Sequence, residues 1–262
     1  MKERADKLLV DQGLAKNRSK AKALIMAGLV TASGKKVEKP GDFIDKTMDI
    51  SVEKPFPYVG RGGLKLEKAL DEFEIDLKGK IVADLGASIG GFTDCMLKRG
   101  AQKIYAVDVD TRQIDWKLRN DPRVILVKKN ARYLEKNDFN EEIQLMTMDL
   151  SFISILKVLP AVRDVLNKGE VIALVKPQFE AGRDKVGRNG IIGDSCIHQE
   201  VLNCIVEQVQ KLGLKIQDLI ESPIKGQKGN REFFILCSVN QKSISDQKIK
   251  TLIKEAVWNE KD

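Results

Sequence analysis

The run Lys80-Ile81-Val82-Ala83-Asp84-Leu85-Gly86-Ala87-Ser88-Ile89-Gly90-Gly91-Phe92, continued by Lys103-Ile104-Tyr105-Ala106-Val107-Asp108-Val109-Asp110, constrains the fold of this chain more than any other segment. It reads as a buried strand, a glycine turn, a helix and a second strand that closes on an acid. The same alternation continues through the sequence. Strands are expected at 80–84, 103–107, 123–127, 143–148, 170–175, 215–220 and 232–239, and helices at 91–99, 111–118, 152–166 and 196–212. Repeated strand and helix units predict an α/β fold, a mostly parallel Rossmann-like sheet with helices on both faces and a terminal antiparallel hairpin as an edge. A helical pattern through Leu64, Lys65, Leu66, Leu70 and Phe73 precedes the first strand.

At 262 residues the chain can bury one large core and still carry a smaller module, since domains cluster near roughly 100 to 150 residues. Residues 1–55 differ in texture from the rest of the chain. Helical spacing runs from Arg4 to Val10 and again from Arg18 to Ala27, and Gly28 supplies a C-terminal stop. Short strands fit Leu29–Thr31, Lys36–Val37 and Met48–Val52, with Ser33-Gly34 as a turn. The two prolines and the glycine of 53–60 mark a linker, placed at 56–62. The larger domain is expected over 63–245, with a C-terminal helix or tail at 246–262.

Lys and Arg total 45 against 38 acids, a formal charge of +7, which favours an anionic partner. Lys2, Arg4, Lys7, Lys16, Arg18, Lys20 and Lys22 outnumber the acids of residues 1–23. Arg18, Lys22 and the Lys35-Lys36 turn suit a phosphate backbone. No stretch reaches the roughly 18 apolar residues needed to span a bilayer, and no signal core opens the chain, so a cytoplasmic protein is expected. Cys95, Cys196, Cys204 and Cys237 form no C-x-x-C pair, and His198 is the only histidine. Neither a disulfide framework nor a metal site is expected.

In open α/β sheets a ligand sits beyond the carboxyl ends of the strands. The candidate cofactor residues stand there: Asp84, Gly86, Ala87, Ser88, Gly90, Gly91 and Phe92 at the first strand, and Asp108 and Val109 at the second. Asp108 can accept hydrogen bonds from a ribose diol. The loop with Asn130 and Ala131 is placed to border an adenine. A pyrophosphate needs the three-glycine turn G-x-G-x-x-G, which is missing, and Asp84 would repel it. An acid there can instead help hold the ammonium end of a cationic methyl donor, which favours S-adenosylmethionine.

Lys65, Asp149, Lys176 and Glu232 fall where apolar segments deliver polar side chains to one sheet edge. A ribose 2′-hydroxyl must lose its proton as it attacks, and a lysine can accept that proton while carboxylates orient it and compensate charge. The glycine-bearing stretches 180–190 and 225–231 flank Lys176 and Glu232. Their Arg183, Arg188, Lys228 and Arg231, with Arg61 ahead of Lys65, could grip phosphates around a flipped nucleotide. His198 is expected to have a structural duty.

These residues carry two resemblances. Arg4-x-Asp6-Lys7-Leu8-Leu9, Arg18-Ser19-x-Ala21-x-x-Leu24-Ile25-x-x-Gly28-x-Val30 and Lys36-Val37-x-Lys39-Pro40 resemble the S4 RNA-binding domain. That resemblance implies that Arg4, Lys7, Arg18, Ser19, Lys20, Lys22, Lys35 and Lys36 lie on or near a face for structured RNA. The set Lys65, Asp149, Lys176, Glu232 resembles the Lys-Asp-Lys-Glu set of FtsJ-type 2′-O-ribose methyltransferases. Gly60-Arg61-Gly62-Gly63-x-Lys65-Leu66, Asp84-Leu85-Gly86-Ala87-Ser88-x-Gly90-Gly91-Phe92-Thr93-Asp94, Asp149-Leu150-Ser151-Phe152-Ile153-Ser154 and Leu174-Val175-Lys176-Pro177-Gln178-Phe179-Glu180 resemble the TlyA family in particular. The resemblance implies a class I methyltransferase fold, S-adenosylmethionine as cofactor, Lys176 as the base, and 2′-O-methylation of cytidine in the RNA of ribosomal subunits. Around Tyr58-Val59 the chain departs from the Arg-x-Trp-Val linker of some members. Two competing readings are a noncatalytic RNA-binding or ribosome-assembly factor, and the hemolysin of the family's historical label.

Overall fold

The computed structural model describes residues 2–26, 28–52, 57–226 and 228–258. Ala27 of the expected second helix, residues 53–56 of the expected linker, Gln227 of the second basic loop and residues 259–262 of the tail lie outside the described residues. The chain divides into two compact units, Met1–Pro57 and Tyr58–Asp262.

The first unit contains β1 (Lys2–Arg4), α1 (Ala5–Asp11), α2 (Arg18–Met26), β2 (Val30–Ala32), β3 (Lys35–Lys36), β4 (Phe43–Asp45) and β5 (Ile50–Val52). Both helices bury one stripe, Ala5, Leu8 and Leu9 from α1 against Ala21, Leu24 and Ile25 from α2. Val30, Val37, Ile44 and Ile50 close this small core. β1 and β4 were not expected from the sequence. They are three-residue strands that pair antiparallel, Glu3 opposite Ile44, too short to show a period of two.

The second unit is built from α3 (Gly62–Glu72), β6 (Ile81–Leu85), α4 (Gly91–Lys98), β7 (Lys103–Asp108), α5 (Trp116–Arg119), β8 (Val124–Lys128), β9 (Leu145–Met148), α6 (Leu159–Val165), β10 (Glu170–Val175), α7 (Pro177–Glu180), α8 (Ser195–Lys211), β11 (Lys215–Glu221), β12 (Phe233–Ser238) and α9 (Asp246–Trp258). Among the described residues the sheet runs β11-β12-β10-β9-β6-β7-β8. β8, β7, β6, β9 and β10 are parallel, and β12 inserts antiparallel between β10 and β11. The hairpin therefore does form the edge, with its second strand innermost. β10 and β12 bury essentially every side chain, which explains why both read as continuous apolar runs. One sheet face packs on Leu66, Leu70, Phe92 and Met96; the other packs on Leu159, Val162, Leu202, Ile205 and Val209.

Two expected helices are broken. The span 111–118 holds a 3-10 turn at Thr111–Gln113 and then α5. The Asp110 carboxylate accepts from Arg112 N–H and the Asp115 carboxylate from Lys117 N–H, so each aspartate caps its own short turn. The span 152–166 holds a 3-10 turn at Ile155–Lys157 capped by Ser154, and Pro160 sits in the first turn of α6. Proline lacks the N–H that a continuous helix would need there.

The end of the expected linker belongs to the second unit. Tyr58 is buried against Gly63, its hydroxyl donates to Glu67 Oε1 at 2.7 Å, and Val59 N–H donates to Asp94 Oδ2 at 2.9 Å.

Candidate active site

β6 and β9 are neighbours, and the strand order reverses there, with β7 on the far side of β6 and β10 on the far side of β9. That is where a doubly wound sheet opens a crevice at its carboxyl edge. Gly86 follows β6 with φ of +85°, and a Cβ on it would stand 2.6 Å from the Asp149 carbonyl. Glycine thus lets the turn after β6 lie directly on the end of β9. Gly91 has a similar duty, since a Cβ there would meet Gly63 N at 3.1 Å and Gly62 Cα at 3.3 Å. The first turns of α3 and α4 can therefore touch.

Lys65 projects from the first turns of α3, Asp149 from the end of β9, Lys176 from the end of β10, and Glu232 from the residue before β12. Val175 and Phe233 are paired across the antiparallel ladder, so Lys176 and Glu232 leave the sheet side by side. Lys65 Nζ donates to Glu232 Oε2 at 2.5 Å. Lys176 Nζ stands 2.6 Å from Asp149 Oδ1, an ion pair whose angle is not that of a directed hydrogen bond, and donates to Ser151 Oγ at 3.1 Å. Lys65, Lys176 and Glu232 are each less than a tenth exposed. Four residues spread over most of the second unit thus form two lysine–carboxylate pairs at one edge, buried except at Asp149, which is 24% exposed. Charges in such a place must be paired.

At the neighbouring crevice, Asp108 lies at the end of β7, and its carboxylate accepts from Ser88 N–H at 2.8 Å and Asp110 N–H at 2.9 Å. Each oxygen keeps a free lone pair for a further donor. Ser88 adopts φ of +51°, a conformation non-glycine residues rarely hold, to make this contact. Lys129 N–H donates to the Asp108 carbonyl at 3.1 Å, which brings Asn130 and the buried Ala131 beside Asp108. Asn130 spends its side chain on Arg132 N–H. Val109 is exposed and Ala87 buried.

Several expected ligands have other duties. Asp84 has no exposed surface, and its carboxylate accepts from Thr93 Oγ1 at 2.6 Å and Thr147 Oγ1 at 3.1 Å. Burial pushes its pKa up to about 7, against the lowering effect of those hydroxyls. It ties β6 to α4 and β9 beneath the turn. Phe92 is a core side chain, 3% exposed, with its ring centroid 6.2 Å from that of Phe234. Gly90, at φ of +98°, makes room for Leu118 and Ile114. Arg231 was expected to meet phosphates. Instead it pairs with Glu221 and donates to the Ala256 and Val257 carbonyls, satisfying the end of α9.

The remaining basic candidates are more exposed. Arg61 precedes α3 and donates to the Lys225 carbonyl at 3.3 Å. Arg183, Arg188 and Lys228 are exposed. In the first unit, Arg4 and Arg18 converge on Asp6, which has no exposed surface, at 3.1 and 2.8 Å, while their own side chains are 43% and 55% exposed. The Arg4 hydrogen bonds, followed by those of Arg18, hold the Asp6 carboxyl down at about 2 against the opposing effect of burial. Lys7 pairs with Glu3 at 2.9 Å. Ser19, Lys20, Lys22, Lys35 and Lys36 are exposed, with the end of the Lys36 side chain lying over Gly28.

Sequence reasoning missed Ser151, Thr93, Thr147, Phe152 and Glu180. Ser151 and Phe152 stand beside Asp149, and that adjacency was a usable signal. Phe152 is 91% exposed at φ of +63°, and its ring centroid lies 5.3 Å from that of Phe179. Glu180 accepts from Ile155 N–H at 2.9 Å, joining the segment after Asp149 to the segment after Lys176. His198 is buried against Phe233, at a centroid distance of 5.6 Å, and burial lowers its pKa. Among the described residues, no cluster of His, Cys, Asp and Glu could hold a metal ion, and no helix is long and apolar enough to cross a membrane.

Comparison with known proteins agrees with this geometry. The FtsJ-like methyltransferase family matches residues 58–238, and the S4 domain matches residues 3–50. YqxC of Bacillus subtilis, named as a candidate rRNA methyltransferase, is 48% identical over 238 residues, 89% of this chain and 85% of that one. The 16S/23S rRNA (cytidine-2′-O)-methyltransferase TlyA of Mycobacterium tuberculosis is 36% identical over 259 residues, 97% of each chain. A solved structure from Streptococcus thermophilus, described as a candidate hemolysin, is 44% identical, has a TM-score of 0.74, and covers 97% of this chain and 95% of that one. With the FtsJ-like model matching residues 58–238 and the S4 domain preceding it, this chain belongs to the FtsJ-like methyltransferase family and is related to the TlyA proteins.

Proposed function

We propose that the protein methylates a ribose 2′-hydroxyl of ribosomal RNA, using S-adenosylmethionine, and that the nucleoside is a cytidine of 16S or 23S RNA in the cytoplasm. The observation that carries this reading is the meeting of Lys65–Glu232 and Lys176–Asp149 at one sheet edge. The name of the Mycobacterium tuberculosis relative supports the choice of atom and nucleoside.

The crevice fits the cofactor. Asp108 has lone pairs for a ribose diol, and Val109, Ala87 and Ala131 supply apolar surface for an adenine. The glycine turn offers no cationic side chain for a pyrophosphate. When bound there, S-adenosylmethionine would supply the methyl group, carried on its sulfonium, for the ribose oxygen.

Lys176 Nζ accepts the hydroxyl proton, and Asp149 neutralises the ammonium that forms. Ser151 Oγ fixes the direction of the amine. Lys65, held by Glu232, supplies a positive charge that orients the ribose oxygens. The exposed ring of Phe152 offers a face on which an unstacked base can lie. Its φ of +63° costs on the order of 1–3 kcal/mol, the kind of strain that collects at functional sites. Arg4, Arg18, Lys20 and Lys22 are the contacts we assign to the RNA backbone in the first unit.

The test is nucleoside-resolved mass spectrometry of 30S subunits, 50S subunits and free rRNA, all lacking the modification, after incubation with the protein and S-adenosylmethionine. The expected product is 2′-O-methylcytidine. Methylation confined to base atoms would overturn the reading.

A further inference from the structure

We propose that the open cleft between Arg188 and Lys228 holds one phosphodiester of the RNA strand, and that Asn230 is the positioning residue that builds this cleft. This rests on the RNA-methyltransferase reading above and extends it to a subsite for the substrate backbone. The cleft is lined by Arg188, Asn189, Gly190, Ile191 and Lys228, from the loop after Lys176 and the loop before Glu232.

Both cations line the cleft, and neither is compensated there. Among the described residues neither Arg188 nor Lys228 has an acidic partner, whereas nearby Lys185 pairs with Glu200 and Arg231 with Glu221. Gly190 lies beside Lys228 and holds a φ of +74°, a backbone conformation that suits glycine. Two cations sharing a cleft repel each other, and an anion between them reverses that repulsion and can accept from both.

The loops that carry the cations are held together by one buried side chain. Asn230 is 3% exposed. Its Nδ2 donates to the Gly190 carbonyl at 2.8 Å, and its Oδ1 accepts from Ile192 N–H at 2.9 Å. Its backbone carbonyl accepts from Gly226 N–H at 2.9 Å. Gly226 in turn packs so closely on Glu232 Oε1 that a Cβ would collide with it. Asn230 therefore sets the gap between the cations and the approach of the loop to the Lys65–Glu232 pair at once. Neither role falls to a charged residue, so charge patterns in the sequence do not reveal it.

The experiment is filter binding of unmodified 30S and 50S subunits across a series of KCl concentrations, together with steady-state methylation. In the Arg188→Ala/Lys228→Ala variant the slope of log affinity against log salt should fall by roughly 0.7–0.9, the signature of one lost phosphate contact. KM for the subunit should rise while kcat is retained. Asn230→Ala should lose the same slope with both cations present, and should also lower kcat. Asn230→Asp, which keeps the shape but cannot donate to Gly190, should do likewise, and calorimetry with S-adenosylmethionine shows whether each variant is folded. An unchanged slope in the cation variant, or a wild-type slope in a cofactor-binding Asn230 variant, would overturn the proposal. If the slope falls as stated but the wild-type product is not a 2′-O-methyl nucleoside, the cleft stands and the reaction assigned above does not.

Discussion

Two centres of charge in this molecule use buried carboxylates in opposite ways. In the first unit Asp6 is buried while its partners, Arg4 and Arg18, extend into solvent. The acid acts as an anchor, and each arginine retains donors that an external anion can take. At the sheet edge Lys65, Lys176 and Glu232 are all buried, and each lysine faces a carboxylate. Exposed cations on a buried anchor suit backbone binding, because phosphate contacts need reach and positive charge. Buried pairs suit proton transfer, because in a water-poor site each charge acts on the reacting atoms with little screening. Under the function proposed above, the first centre would bind RNA and the second would carry the chemistry.

The largest expected effect belongs to the second centre. Lys176→Ala should lower kcat by about 10²- to 10⁴-fold, the usual contribution of a positioned base, with S-adenosylmethionine affinity kept, as calorimetry would show. Near-normal turnover would remove Lys176 as the base and break the contrast. Next comes the first centre, where Arg4→Ala/Arg18→Ala should weaken subunit binding at every sequence and lower the salt slope by about 1 per lost contact. The kcat at saturating subunit should be nearly unchanged. A drop in kcat with no change in binding would exchange the two roles.

The smallest effects are in stability, and their signs differ. Asp6 is held at about 2 by Arg4 and then Arg18, so its stabilisation is present above the ordinary carboxylate range and is lost as pH falls toward 2. Asp84 is pushed up to about 7 by burial, so its contribution is full below the ordinary carboxylate range and is lost as pH rises through 7. Denaturant titrations from pH 4 to pH 8 separate the two. Asp84→Asn should flatten the profile across that window, while Asp6→Asn should lower stability throughout it by about 1.5–3 kcal/mol, the worth of charged hydrogen bonds. Equal profiles for both variants would mean that the two carboxylates share one environment after all.

Much of the site was legible in the residues alone. Strands buried on both faces read as unbroken apolar runs, so Asp108, Asp149 and Lys176 were recognisable as polar residues at strand ends. The hairpin at the edge followed from β11 and β12 having no helix between them. Where a short side chain could cap its own turn, as at Asp110, Asp115 and Ser154, the local hydrogen bond overruled a helical pattern that had looked continuous. The structural partners of Asp84, Phe92 and Arg231 were not legible in the sequence for a different reason. Each stands beside residues at the crevice or the loops, yet its partners come from distant segments: Thr147 for Asp84, Phe234 for Phe92, and the Ala256 and Val257 carbonyls for Arg231.

The sequence by itself determined the α/β class, the order of the strands of the large sheet along the chain, the glycine turn and the identity of the four residues at the sheet edge. These depend on periodicity and local backbone freedom, which are written in neighbouring residues. The tertiary structure alone decided which lysine meets which carboxylate, since Lys65 and Glu232 lie 167 positions apart. It also decided that Asp84 is buried, that Arg231 closes a helix, and that Asn230 clamps two loops. Burial and pairing are properties of surfaces brought together by folding, and only the packed chain defines those surfaces.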